Sequence, residues 1–327
     1  MKARLKRMIL RVMSPFLGIL GARTEARLER LERQINILQD KADRNALLGA
    51  VPLVNQIRTL KKISALSEVE FKVFSQWGED GIIQYLVSHV PLPNKIFVEF
   101  GVEDYREANT RFLLVNNNWE GLVLDADPEL NAKLKAQDIC WRYQLAAKSA
   151  LITAENINDL ISSSGISGDI GLLSVDIDGN DYWVWRAVSV ISPRIVICEY
   201  NSVFGIKHPV TVPYQPDFNK TKYHHSNLCF GASLAAICRL AGEKGYDFIG
   251  SNSEGCNAFF VRKDLSDGLP KPSPAEGYVR SKFRSSVNEQ GVLTFLSGSA
   301  RLDAIKDAQV YNLATDQLVK IADLGEL

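Results

Sequence analysis

The run KIFVEFGVED (95–104) is a short apolar strand that breaks off at a glycine set between acids. Four runs of the same kind follow: GLVLD (121–125), CWRYQL (140–145), IGLLSVD (170–176) and RIVICEY (194–200). Helical stretches follow them near 105–117, 127–137, 153–163, 180–189 and, after a long loop, 231–244. Continuous apolar runs imply strands buried on both faces, which predicts a mostly parallel, doubly wound α/β sheet. YDFIG (246–250) and CNAFFV (256–261), separated by the turn-rich SNSEG, predict a closing antiparallel hairpin.

With 327 residues, 46% of them hydrophobic, the chain can bury one large core and still carry extensions. The boundaries this suggests are a helical N-terminal part (1–45), a connector (46–67), a main domain (68–262) and a small C-terminal extension (263–327). Lys+Arg and Asp+Glu both number 38, so no overall charge attracts nucleic acid. The five cysteines form no CxxC pair, which argues against a disulfide framework or zinc cluster and for a cytoplasmic chain.

Residues 1–23 hold Lys2, Arg4, Lys6, Arg7, Arg11 and Arg23 and no acid, while Leu5, Met8, Ile9, Val12, Phe16 and Leu20 recur at helical spacing. That pattern suits a basic amphipathic helix on an anionic membrane, interrupted at Pro15. An organelle-targeting segment and a frayed basic terminus fit it too. No run approaches the roughly 20 apolar residues that span a bilayer. Leu28, Leu31, Ile35 and Leu38 then repeat at 3,4,3 spacing, either a short coiled-coil seam pairing two copies through 24–41 or an amphipathic helix packed on its own domain.

In open α/β sheets, ligands bind at the carboxyl ends of the strands. Glu99 and Gly101 close the first strand, an acid able to hold an ammonium and a glycine that lets backbone approach a ligand. The further glycines of G-x-G-x-x-G are missing, which removes the basis for a pyrophosphate cradle. Asp125 closes the second strand, at a spacing suited to ribose hydroxyls. Gln144 is read at the end of the third strand, where an adenine edge would lie. A parallel sheet ending in a hairpin further separates methyltransferase sheets from dehydrogenase sheets.

The blocks FSQWGEDGIIQYLV (74–87), VEFGVEDYREANT (98–110), GLVLDAD (121–127), LLSVDIDGNDYWVW (172–185), ICEYN (197–201) and NAFFVR (257–262) resemble, in order, the landmarks of FkbM-type methyltransferases. The resemblance implies a Rossmann-like class I methyltransferase fold, S-adenosylmethionine as donor, and a hydroxyl on a sugar, glycan or secondary metabolite as acceptor. It implies cofactor roles for Glu99, Gly101 and Asp125, with Gln76 and Glu79 closing over the methionine end. Ser75, Glu79 and Asp80 equally suit a helix start.

An alcohol nucleophile must lose its proton beside the donor. Asp176 and Asp178 close the fourth strand, and Glu199 and Asn201 the fifth. Three readings stand. Asp176, Glu199 and Asn201 hold a divalent cation such as Mg2+; Asp176 or Asp178 is a metal-free base; or Asp178-Gly179-Asn180-Asp181 is a turn and helix cap. His208 is the further base candidate, in the loop 202–229 that is expected to cover the acceptor. The competing functions are a nucleotide-cofactor, sugar-modifying oxidoreductase and a catalytically silent, membrane-associated scaffold.

Overall fold

The computed structural model describes the backbone of residues 2–326 and the side chains of all residues except 1–22, Glu29, Glu32 and Leu327. The chain divides into two units, residues 1–50 and 51–327. Helix α1 (Lys2–Thr59) runs through the first and into the second. It does not end at Pro15, and most of the expected connector is helical. The side chains behind the lipid-surface reading of 1–23 lie, up to residue 22, outside the described residues. Leu28, Leu31, Ile35 and Leu38 are exposed. No helix among the described residues is long and apolar enough to cross a membrane.

Unit 2 continues with α2 (Glu79–His89), β1 (Ile96–Phe100), α3 (Arg111–Asn117), β2 (Glu120–Asp125), α4 (Leu130–Ala136), α5 (Ile139–Arg142) and β3 (Leu145–Ser149). Then come α6 (Ile157–Ser162), β4 (Gly168–Val175), α7 (Asp181–Ala187), β5 (Ile191–Glu199), β6 (Val210–Thr211) and α8 (Lys220–Tyr223). The chain closes with α9 (Leu234–Glu243), β7 (Tyr246–Ser251), β8 (Asn257–Arg262), β9 (Gln309–Asn312) and β10 (Gln317–Lys320).

Seven strands form one sheet in the order β3-β2-β1-β4-β5-β8-β7. β1 to β5 run parallel, and β8 is antiparallel to both β5 and β7. Both the doubly wound order and the reversed strand inserted beside β5 are those of the class I methyltransferase fold. Burial on both faces is direct: Val98 and Phe100 pack with Trp185, Leu234 and Ile237 on one side, Phe97 with Ile82, Ile83 and Leu113 on the other. Every one of these side chains is withdrawn from water, which stabilises the sheet by about 1.5–3 kcal/mol for each large one.

Of the loop 202–229, β6 pairs with β9, and β9 with β10, in a three-stranded antiparallel sheet. Phe204, Val210, Leu228, Ile305 and Val310 form its own small core. The C-terminal extension is thereby tied to the loop that covers the carboxyl ends of the main strands. No disulfide occurs among the described residues; Cys198, Cys229 and Cys256 are buried thiols.

Candidate active site

A cavity of about 650 Å³ opens at the carboxyl ends of β1, β2, β4 and β5, within the size range of small-molecule sites. Strand ends supply Glu99, Gly101, Asp125, Asp176 and Glu199 to its wall. Phe218 and Lys220 from the covering loop, and Phe283 and Ser285 from the C-terminal extension, supply the facing wall.

Gly101 has φ +73°, and a Cβ built on it would stand 1.5 Å from the carbonyl oxygen of Asp176. The glycine is therefore required by the close approach of the β1 and β4 ends, as well as being part of the cavity wall. Glu99 is buried, and its Oε1 accepts from Asn109 N–H at 2.8 Å while Oε2 accepts from Thr110 N–H at 3.1 Å and Thr110 Oγ1 at 2.5 Å. Burial pushes its carboxyl up to about 6 despite those donors. Glu99 thus shapes the loop after β1, with the Ser174 hydroxyl as a further hydrogen-bonding neighbour of its carboxylate.

Asp125 Oδ2 accepts from Glu103 N–H at 2.7 Å and Oδ1 from Asp127 N–H at 2.8 Å. Each oxygen keeps a second lone pair, and the residue lines the cavity. Gln76 also reaches it. Glu79 does not: its Oε1 accepts from Asn252 Nδ2 at 2.6 Å and Asn257 Nδ2 at 3.1 Å, tying α2 to the β7–β8 turn. Gln144 lies at the opposite end of the sheet. Residues 139–142 are the short helix α5 and β3 begins at Leu145, so Gln144 precedes the strand and borders a separate hollow with Lys95, Trp119 and Arg142. At the true end of β3, Leu151 and Ile152 line the cavity instead.

The block DIDGND folds into a tight turn braced by Asp181, whose carboxylate accepts from Ile177 N–H at 2.8 Å and Gly179 N–H at 2.9 Å. Asp178 takes the left-handed conformation at φ +56°, which Asp tolerates better than most residues. Gly179 admits the ring of Phe218, since a Cβ there would meet Phe218 Cδ1 at 2.2 Å. Turn formation and the delivery of acids to the cavity are one event: bracing by Asp181 leaves Asp176 and Asp178 facing Glu199.

Asp176, Asp178 and Glu199 each present an oxygen within 4.8 Å of the others. Lys220, from α8, makes an ion pair with Asp178 at 2.6 Å and stands 5.5 Å from the centre of the Phe230 ring. Asp176 and Glu199 keep some accessible surface toward the cavity, yet protein surrounds them closely enough that burial dominates their behaviour. It pushes both well above the ordinary carboxylate range, and the charges of Asp178 and Asp181 push the same way. The proximity of Glu199 as a hydrogen-bonding neighbour offsets part of the rise at Asp176. For Lys220, burial opposes the charged form, but Asp178, Glu199 and Asp176 outweigh it and raise the pKa.

Two further expected site residues lie elsewhere. Asn201 is buried with its amide committed, Nδ2 donating to the Leu228 and Phe230 carbonyls at 2.9 and 3.0 Å and Oδ1 accepting from Val203 N–H. It braces the covering loop, and Asp178 takes its place in the oxygen cluster. His208 is outside the cavity wall, with Nε2 3.2 Å from the Glu326 carbonyl. Lys220, Asn227 and Asn257 were not singled out from the sequence, and Asn180 only as part of a turn and cap, because nothing local marks a residue that becomes a wall neighbour through tertiary packing.

No family model matches the chain, and no curated protein matches it. Solved structures similar to it include an S-adenosylmethionine-dependent methyltransferase from Clostridium acetobutylicum ATCC 824, with TM-score 0.36, 10% identity, and 56% of this chain and 90% of that chain covered. The CurJ carbon methyltransferase has TM-score 0.35 and 12% identity over 57% of this chain and 55% of that one. The pyocyanin biosynthetic protein PhzM has TM-score 0.33 and 9% identity over 55% and 54%. The fold assignment rests on strand order and direction, not on these likenesses.

Proposed function

We propose that the chain is an S-adenosylmethionine-dependent O-methyltransferase acting on a hydroxyl of a sugar, glycan or secondary metabolite. The observation that carries the reading is the cavity at the strand ends of a class I methyltransferase sheet, with Asp125 on its wall together with the clustered carboxylates of Asp176 and Glu199. Asp125 suits ribose because both oxygens keep a lone pair, and Gln76, Glu99 and Gly101 border the space beside it. S-adenosylmethionine, when bound, supplies a methyl group already activated on sulfur. The chain's own task is then to orient the acceptor and take its hydroxyl proton onto the Asp176–Glu199 pair. Lys220 steadies the charge of the deprotonated pair. Phe218, Phe230 and Phe283 on the cavity wall suit the apolar faces of a sugar ring, and Asn180, Asn227 and Asn257 are among its polar wall residues.

A second reading is favoured by the oxygen cluster itself. Asp176, Asp178 and Glu199 are hard donors of the kind Mg2+ takes, and Glu199 Oε2 is buried without a partner among the described residues. A cation there would displace Lys220 from Asp178 and acidify the acceptor hydroxyl. Calorimetry with S-adenosylmethionine against NAD tests the cofactor; binding of NAD alone defeats the methyltransferase reading. Methyl transfer to a pool of cell-envelope glycans, with and without EDTA, separates the two mechanisms. Activity that survives chelation and is lost in Asp176→Asn supports the base; activity restored only by Mg2+ supports the cation.

A further inference from the structure

The wall of the cavity is one-sided in charge. Glu103, Asp104, Glu107, Asp125 and Asp178 line it besides Glu99, Asp176 and Glu199. Among the described residues that form this wall, Lys220 is the one cation. Two of the acids have counter-ions off the wall, Glu107 pairing with Lys72 at 3.3 Å and Asp104 with Arg106 at 3.4 Å. With those two and the Glu99, Asp176 and Glu199 carboxyls all set aside, Glu103, Asp125 and Asp178 still outnumber Lys220. A neutral ligand leaves this excess as it is, and an anionic one adds to it. S-adenosylmethionine, a singly positive molecule, offsets only part of it.

The position of Lys220 shows which chemistry the wall receives. Its ammonium pairs with Asp178 Oδ1 at 2.6 Å and lies 5.5 Å from the centre of the Phe230 ring. Asp178 in turn presents an oxygen within 4.8 Å of oxygens from Asp176 and Glu199. One ammonium therefore meets a carboxylate and an aromatic face together, the two partners an organic cation finds most favourable. Phe218 and Phe283 stand on the same wall and supply apolar surface for whatever carries such a cation.

Lys220 is a replaceable occupant. Its side chain is 36% exposed and that of Asp178 49%, so the pair is partly open to water and adds little to stability. No residue of α8, the short helix that carries Lys220, is buried. The four-carbon stem lets the ammonium swing aside without any movement of the backbone.

We propose that the methyl acceptor carries a protonated amine, as an amino sugar does, and that this ammonium takes the place of Lys220 at Asp178 and the Phe230 ring. Lys220 is then a tethered stand-in, exchanged cation for cation when the acceptor enters. The exchange keeps a positive charge beside Asp176 and Glu199, so their part toward the acceptor hydroxyl is unchanged. An anionic acceptor held by Lys220 would instead strip Asp178 of its counter-ion and set a further negative charge among the wall acids. Naming the carrier of the ammonium as the methyl acceptor rests on the methyltransferase reading above; the exchange at Asp178 does not.

The test uses the full chain in EDTA at about pH 6.5, where a sugar amine is charged. Glucosamine, N-acetylglucosamine, glucose and glucuronate are titrated by calorimetry, and S-adenosylhomocysteine separately. Glucosamine is expected to bind more tightly than the other three by about tenfold or more. D178N should weaken glucosamine by about fivefold or more, and K220M, which removes the stand-in, should tighten it by about threefold or more while leaving glucose unchanged. Asparagine tolerates the left-handed conformation at position 178, so D178N keeps the turn, and a thermal melt of each variant checks the fold. Glucosamine binding no tighter than N-acetylglucosamine, glucuronate binding best of the four, affinity indifferent to D178N, or K220M that fails to tighten glucosamine overturns the proposal. Normal S-adenosylhomocysteine binding beside such a result leaves the methyltransferase reading standing. A preference for glucosamine without S-adenosylhomocysteine binding overturns the cofactor reading and leaves the amine site in place.

Discussion

The α-carbon of Gly101 and the carbonyl oxygen of Asp176 approach so closely that a Cβ on the glycine would stand 1.5 Å from that oxygen. This contact joins the ends of β1 and β4, neighbouring strands in the middle of the sheet, and sets how Glu99 and Asp176 lie on the wall of one cavity. Gly101→Ala has to push the two ends apart and also place a side chain at positive φ. We expect a stability loss of about 2–5 kcal/mol, read as a lower denaturation midpoint, with cofactor affinity reduced in the fraction that folds. A variant of native stability would mean that the two ends separate freely.

Asp125→Ala removes the carboxylate at the end of β2. S-adenosylhomocysteine affinity should fall by about 1.5–3 kcal/mol, the usual worth of a hydrogen bond to a charged acceptor. Because Asp125 also receives the Glu103 and Asp127 N–H groups, thermal unfolding must be recorded beside calorimetry. Unchanged affinity in a folded variant would move the ribose contact to another residue.

Stability should not decline between pH 7 and pH 5. Burial raises Asp80, Glu99 and Asp181 each to about 6. A carboxyl whose folded pKa lies above its unfolded value gives stability that is complete below the unfolded pKa and lost as pH rises through the folded one. Protonation of these three on going from 7 to 5 therefore favours the native state. The exposed acids with lowered values, such as Asp169 and Asp264, do not titrate until lower pH. A melting temperature falling steadily from pH 7 to 5 would contradict this account.

Lys220→Met removes the cation facing the acid cluster. If the Asp176–Glu199 pair is the base, losing that charge raises the pair further. The acid limb of the kcat/KM profile should then move up by about one pH unit, with a roughly tenfold slower reaction at neutral pH. If a divalent cation occupies the cluster, the same substitution should tighten Mg2+ binding and leave the acid limb where it was.

Much of the fold was legible because apolar runs ending in acids and glycines impose buried parallel strands whatever the rest of the chain does. β1, β2, β4, β5 and the closing hairpin fall where alternation of strand and helix placed them, and strand ends told where Asp125, Asp176 and Glu199 would gather. β3 was misread because Ile139–Arg142 forms a short helix whose aromatic and apolar residues pass for a strand, which moved Gln144 to the wrong end of the sheet. Tertiary structure decided the remainder. Asn201 spends its amide on carbonyls 27 and 29 residues away, His208 turns to the chain's end, and Lys220 enters the acid cluster from a loop. Such pairings depend on how covering segments fold back over the sheet, where contact is made across dozens of residues and leaves no periodic trace in the sequence. Local pattern specified which residues stand at the strand ends; only packing specified what faces them.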